Sequence, residues 1–428
     1  MKTASKKVIN GWAMYDWANS VYNLVITTTF FPIYFLAVTN EHTSFLGMKF
    51  VNSALYNYTM AAAFLLVAIV SPILSSIADT RGNKKNFLRF FTLLGSLSCC
   101  ALYLFDSNHL TLGVVCFMLA TIGYCGGLVF YNSYLPEIAA PEDRDSVSAK
   151  GFGMGYIGSV LLQLIGFGLV LAAKPLGMDE SLPIKITFLL VGIWWLGFAQ
   201  VTFATLPNSI TTVSKHASNT LTEGFSELRK VYAQVKQLPV LKRFLRGFFF
   251  YSMGVQTVMM AATIFGSKVL HLEATLLIVT VVIIQIVAIA GAWLMAKLSG
   301  KYGNLRVLIS VIILWILICV AGYKMQTAMH FYLLAAAVGL VMGGIQSLSR
   351  STYAKLMPET QDTTSFFSYY DVTEKLSIVI GMFSFAYIDD LTEDMRNSVL
   401  ALVVFFVIGL VWVVSALLKQ KQTVLQLG

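Results

Sequence analysis

Stretches of about twenty predominantly apolar residues recur twelve times along the chain, at 11–38, 54–78, 86–105, 110–135, 148–173, 183–206, 244–269, 274–298, 305–323, 329–354, 365–388 and 396–418. A segment of that length and character matches the hydrocarbon thickness of a bilayer when helical. The rest of the composition agrees. Of 428 residues, 57% are hydrophobic and 12% are charged, against roughly 25% charged in a soluble domain. A soluble fold of this make-up would lack the polar residues to cover its own core.

Helices are the expected form because each satisfies its own backbone hydrogen bonds in lipid. A transmembrane barrel would show short alternating strands, and runs such as Val307–Ala321 are apolar without alternation. The first stretch holds Asp16 and Asn19 and is too long for a signal-peptide core, so it is expected to remain in the protein. Cys99, Cys100, Cys116, Cys125 and Cys319 all fall within apolar stretches and lack zinc-ligand spacing. His42, His109, His216, His271 and His330 fall in loops or at span ends. Neither a metal, a cofactor nor hydrolytic chemistry is expected from these residues.

The net charge of +9 follows topology rather than nucleic-acid binding. Of the 30 lysines and arginines, 23 fall on segments of one side, 6 on the other, and Lys375 inside a span. By the positive-inside rule both termini are cytoplasmic.

The longest connection, 207–243, separates six spans from six. It gives an N-terminal bundle at 1–206, a cytoplasmic linker, and a C-terminal bundle at 244–428. Within the linker, Thr220 and Glu223 form a capping box. Leu221, Phe225, Leu228, Tyr232 and Val235 then recur at helical spacing up to Pro239, so an amphipathic helix is predicted there. The halves echo each other: Gly126-Gly127 and Pro141-Glu142 recur 217 residues later as Gly343-Gly344 and Pro358-Glu359. The fold class expected is an all-α membrane protein, its two six-helix bundles related by a pseudo-two-fold axis normal to the membrane.

These features resemble the major facilitator superfamily. Its loop signature, in outline Gly-x-x-x-Asp-Arg-x-Gly-Arg-Lys, is matched by the run Ser75-Ser-Ile-Ala-Asp79-Thr-Arg81-Gly82-Asn83-Lys84-Lys85. Ser75 replaces the first glycine, and the basic residue comes one place late, at Arg81. A second copy at Gly300–Arg306 lacks the aspartate. Within the superfamily, Tyr15-Asp16-Trp17-Ala18-Asn19-Ser20-Val-Tyr22, followed by Thr28-Thr29-Phe30-Phe31-Pro32, is similar to the opening of the vacuole-effluxer branch. That branch joins fungal autophagy-related amino-acid effluxers with bacterial members of uncharacterised function. The resemblance implies a bacterial inner-membrane carrier working as a monomer. It also implies a latch in which Asp79 and Arg81 meet Asp371 near the start of span 11.

Charged and amide residues inside spans are costly, about 2.5–3.5 kcal/mol for a central Asp or Lys on insertion scales, and so point to function. Asp16, Ser20, Asn23 and Thr27 step by 4, 3 and 4 and should line one face of the first helix, beside Asn19. This face reads as a solute or proton path, or as interhelical hydrogen bonding. Gln163, Gln256, Gln285 and Gln346 lie deep in spans 5, 7, 8 and 10, as cavity donors or helix glue. Asn132 and Arg350, near the cytoplasmic ends of spans 4 and 10, are gate or substrate-anion candidates. Asp371 and Lys375 are an i,i+4 pair. With Glu374 between them, one negative charge is in surplus, which makes Glu374 or Asp16 the expected proton-coupling site. Gly153-Met-Gly155-Tyr-Ile-Gly158 matches a dinucleotide-binding fingerprint in letters, yet it sits in a span and follows no strand, so close helix packing is expected.

The function expected is a secondary carrier of small polar solutes, amino acids first, with protons as a possible co-substrate. The alternative is a lipid or lipid-headgroup translocase of the same fold. The charge bias makes a direct prediction about sidedness. Single cysteines replacing Asp106 and Asp390 should react with an impermeant reagent from outside, and those replacing Asn83 and Ser226 from the cytoplasm. Cytoplasmic labelling of the first pair would overturn this topology.

Overall fold

The computed structural model describes residues 2–208, 220–270, 272 and 274–427. Twelve long helices occur among them, one at each expected span. They are α1 (Lys6–Val38), α2 (Asn52–Arg81), α3 (Lys84–Leu104), α4 (Leu110–Ser133), α5 (Arg144–Ala173) and α6 (Leu182–Thr205). A helix outside this set, α7 (Thr220–Gln237), follows. Then come α8 (Pro239–Leu270), α9 (Ala274–Tyr302), α10 (Asn304–Lys324), α11 (Ala328–Leu356), α12 (Thr363–Thr392) and α13 (Met395–Leu427).

Ten of the twelve have the length and apolarity to cross a membrane. The other two, α8 and α12, are as long, at 32 and 30 residues, and α12 bears Asp371, Glu374 and Lys375. Helix ends run past the apolar windows. Thus α8 begins at Pro239, where a first-turn proline loses no intrahelical bond, and α13 continues to Leu427 through helix-favouring Lys, Gln and Leu. Hydropathy marks only the part that matches hydrocarbon.

The only sheet among the described residues is a hairpin of β1 (His42–Phe45) and β2 (Met48–Val51), joined by Leu46-Gly47 with both φ values positive. Sequence patterning leaves this stretch a plain loop, because four-residue strands carry little periodicity.

Helix α1 does not stay α-helical. From Tyr22 to Phe30 it widens into a nine-residue π segment, and Phe31 N–H bonds back to Ile26 O. Pro32 supplies the cause. It has no N–H for the carbonyl four residues earlier, at Thr28, and its ring crowds that carbonyl. The threonines absorb the rearrangement: Thr28 Oγ1 and Thr29 Oγ1 both donate to Leu24 O, at 2.8 and 3.0 Å.

The chain forms two compact units. One contains Ser5–Asn132 with α5 and α6 from Met154 onward. In it α1 packs on α6, and α3 on α6. Glycines on α5 set the approach to α1: a Cβ on Gly155 would strike Ser20 Oγ, and one on Gly158 the Trp17 carbonyl. The dinucleotide-like run therefore lies inside a helix and serves packing at these two positions. The other unit contains Ser133–Gly153 with α7 to α13. Here α8 packs on α12 and α13, α9 on α11, and α10 on α11 and α13. Helix α7 lies against α8 and α12, burying Val231 and Val235 and leaving Tyr232 exposed. Of the expected apolar positions whose side chains are described, Val235 is buried and Tyr232 is exposed. The capping-box side chains, together with His216 and His271, lie outside the described residues.

Among the described glycines, those between α9 and α11 approach backbone most closely: a Cβ on Gly343 would overlap the Ala288 carbonyl and one on Gly291 the Leu340 carbonyl. Backbone cannot yield as a side-chain tip can. Gly343→Ala should therefore destabilise by about 1–3 kcal/mol, the range for overpacking. Gly197→Ala, with open space at its Cβ, should be neutral or stabilise by up to ~1 kcal/mol from helix propensity. Thermal unfolding of the two variants in detergent checks the contrast, and equal midpoints would refute it.

Candidate functional site

In the first unit, the signature residues of α1 divide between two faces. Trp12, Tyr15, Asn19 and Tyr22 follow helical spacing and are at most 1% exposed. Trp12 stacks on Tyr131 with centroids 4.5 Å apart and donates Nε1 to the Tyr131 carbonyl at 3.0 Å. The Tyr15 hydroxyl lies 3.0 Å from Thr92 Oγ1, and that of Tyr22 lies 2.6 Å from Thr121 Oγ1. Asn19 shares the buried face of these aromatic residues. Both its amide atoms are buried without a hydrogen-bond partner, a pattern that suits buried water.

The other face carries Asp16, Ser20 and Asn23. Asp16 is 4% exposed and accepts a 2.8 Å bond from the Tyr131 hydroxyl, while Ser20 and Asn23 are half-buried. Thr27, in the π segment, is buried at 7% exposure, with no hydrogen-bond partner for its Oγ1. Gln163 is fully buried and donates to Thr29 Oγ1 at 3.0 Å. It therefore ties α5 to α1, as the interhelical reading expected. Asn132 is half-buried at the end of α4. Asp79 and Arg81 close α2 just before Gly82, whose φ of 65° ends the helix.

The second unit concentrates charge on α12. Lys375 Nζ lies 3.2 Å from Asp371 Oδ1 and 3.5 Å from Glu374 Oε2. Gln256 on α8 donates to Glu374 Oε1 at 3.2 Å. The carboxylate expected to lack a partner, Glu374, therefore has two neighbours and a side chain that is 23% exposed. Asp371 is more enclosed, and its Oδ2 is buried with no hydrogen-bond partner. The correction has a geometric cause: Lys375 is shared, and only Glu374 is within reach of Gln256. Gln346 Nε2 approaches Met259 Sδ at 3.6 Å, and Gln285 is buried on α9.

A second polar cluster draws on residues that sequence reasoning passed over. Asp145, in the first turn of α5, is 4% exposed. It accepts from Ser299 Oγ at 2.8 Å, Asn304 Nδ2 at 2.7 Å and Lys355 Nζ at 2.6 Å. One turn on, Ser148 takes Arg350: Nε reaches its hydroxyl at 2.9 Å and Nη2 its carbonyl at 2.8 Å. The guanidinium also covers the Phe152 ring at 4.2 Å. Arg350 is thus buried structural bonding for residues 144–152, not an open anion receptor. Asp145 looked like one of several acids in a polar loop, and Lys355 like one more topogenic cation. The available signal was Asn304, which matches Asn83 in a second loop copy whose aspartate is replaced by Gly300.

Comparisons with known proteins bear on the family and the fold. The vacuole effluxer Atg22 like family matches residues 4–424. The uncharacterized MFS-type transporter YxiO of Bacillus subtilis (strain 168) is 31% identical over 409 residues, spanning 94% of this chain and 93% of its own length. Autophagy-related protein 22 of Eremothecium gossypii is 26% identical over 463 residues, spanning 95% and 90%. Among solved structures, the human organic anion transporter MFSD10 (TETRAN) superposes with a TM-score of 0.74 at 12% identity, covering 95% of this chain and 99% of that one. The E. coli fucose:proton symporter FucP gives 0.68 at 12% identity, covering 96% and 97%. At such identity the likeness is one of fold.

The Asp145 cluster supports a stability prediction. Asp145→Asn keeps the size but leaves Lys355 without its counter-charge. The lysine is 23% exposed, so the loss should fall between surface and buried ion pairs, about 2 kcal/mol. A double-mutant cycle with Lys355→Gln, read by unfolding in detergent, should give a coupling of about 1 kcal/mol or more. Additive effects would show that the pair contributes nothing.

Proposed function

The chain belongs to the vacuole effluxer Atg22 like family of the major facilitator superfamily, and from that membership we propose a secondary carrier of small polar organic solutes, amino acids foremost, coupled to protons. That it is an integral, multi-pass membrane transporter and not an enzyme follows from the family and the fold. The site that supports the finer reading is the α12 cluster. Two carboxylates share one lysine, and Asp371 Oδ2 has no donor. A buried carboxylate oxygen without a donor is a place for a proton. Lys375 and Glu374, side by side, offer the two charges that a zwitterionic α-amino acid would need to meet. We place the coupling proton on one of three carboxylates, Asp371, Glu374 or Asp16. Asp79 and Arg81 are assigned to closing the cytoplasmic side, in a monomer with both termini in the cytoplasm of a bacterial cell.

Reconstituted vesicles test this reading. Asp371→Asn, Glu374→Gln and Asp16→Asn each mimic a protonated acid. The variant at the coupling site should retain amino-acid counterflow and lose accumulation driven by a proton gradient. If all three accumulate substrate with the pH dependence of the parent, proton coupling through these residues is wrong and a uniporter becomes the better reading. Lipid scrambling in the same vesicles without amino-acid flux would favour a lipid translocase.

A further inference from the structure

At the end of the second unit that carries its basic loops, a cavity of about 580 Å³ opens between the start of α10 and the ends of α11 and α13. Three cations line it, Arg306, Lys355 and Lys421, together with the polar side chains of Asn304, Thr352 and Gln420; no acidic side chain does. Asp145 lies just behind this wall and neutralises one of the three through Lys355, so a net positive charge faces the opening. Arg306 and Lys421 are exposed, and Arg306 Nη1 donates a long 3.4 Å bond to the Tyr302 carbonyl. The rim is apolar, with Leu305, Leu356, Leu417 and Leu425 among the lining residues. The backbone adds to the charge. Gly303, at φ 88°, starts α10 without a side-chain cap, leaving the first-turn N–H groups available to an acceptor.

We infer that this cavity binds a phosphate group, carried by an anionic phospholipid or by a soluble phosphate monoester. Arg306 forks onto the phosphate oxygens, Lys421 closes over them, and the leucines flank the attached chain or carbon skeleton. Basic pockets between helices at a membrane surface are suited to such headgroups. The site shares Lys355 and Asn304 with the Asp145 cluster. Lys355 Nζ has two near acceptors, Asp145 Oδ2 at 2.6 Å and Asn304 Oδ1 at 3.1 Å, and a third N–H to offer. An anion in the cavity therefore shares the lysine that bonds Asp145 and can tune that contact without breaking it. The inference does not depend on which solute is carried, since it is read by binding.

The test uses the full-length protein in neutral detergent at fixed ionic strength, with thermal unfolding as the readout. Phosphatidylglycerol, phosphatidylcholine and glycerol 1-phosphate are titrated separately. Phosphatidylglycerol should raise the midpoint saturably and phosphatidylcholine should not. In Arg306→Gln/Lys421→Gln the half-saturating concentration should rise about tenfold or more, equivalent to about 1.4 kcal/mol. Lys297→Gln, an exposed lysine outside the cavity, should change nothing. Saturation of the same shift by glycerol 1-phosphate identifies a soluble ester as sufficient, whereas a response to phosphatidylglycerol alone identifies the lipid. Equal responses to the two phospholipids with none to glycerol 1-phosphate, or an unchanged half-saturation in the double variant, overturn the site.

Discussion

In hydrocarbon a polar group has only the protein to bond with, and the placement of many of the described hydroxyls and tyrosines follows from that constraint. The hydroxyls meet it locally. Thr59, Ser75, Thr92, Thr121 and Ser349 each donate to the carbonyl four residues back on their own helix, at 2.6–2.8 Å. They add polarity to an apolar stretch without asking anything of a neighbour. Tyrosines do the bridging between helices. Tyr22 reaches Thr121, Tyr131 reaches Asp16, and Tyr251 reaches Ser349 at 2.7 Å. Each places an aromatic body in the packed interior and spends its one proton on a second helix.

Close approach then depends on where side chains are missing. Along α5, Gly155 and Gly158 let α1 come down onto the helix surface, and Gly339, Gly343 and Gly291 do the same between α9 and α11. The sequence echo between the halves does not extend to how these glycines are used. Gly126 faces the Phe91 ring on α3, and Gly127 the Tyr15 hydroxyl. Their counterparts, Gly343 and Gly344, face the Ala288 backbone and the Met295 side chain on α9. A duplicated letter preserves permission for close contact, while the neighbour that exploits it has diverged.

What could be read beforehand divides along the same line. Twelve spans, the helix between the two sets of six and the family were legible because apolar length and a few local motifs carry them. The polar spacing of α1 was legible, but the π segment that runs through it from Tyr22 to Phe30 was not. A π segment changes the step, and only the later Pro32 hinted at one. Burial of Asn19 against Trp12, Tyr15 and Tyr22 needed the third dimension, since all of them lie in the same polar-aromatic signature. Asp145 and its donors Ser299, Asn304 and Lys355 come from α5, α9, α10 and α11. No spacing rule joins positions so distant, and each residue alone reads as ordinary.

The two carboxylate–lysine groups of the second unit show why partner number matters more than burial. Asp145 and Asp371 are about equally enclosed, at 4% and 5% exposure, and each has a lysine within 3.2 Å. Asp145 has further donors from a serine and an asparagine, so both its oxygens are bonded and its charge is held. Asp371 has the lysine on one oxygen and nothing on the other, and that lysine also serves Glu374. Two carboxylates of nearly equal burial thus differ in how many donors the surrounding helices bring to them.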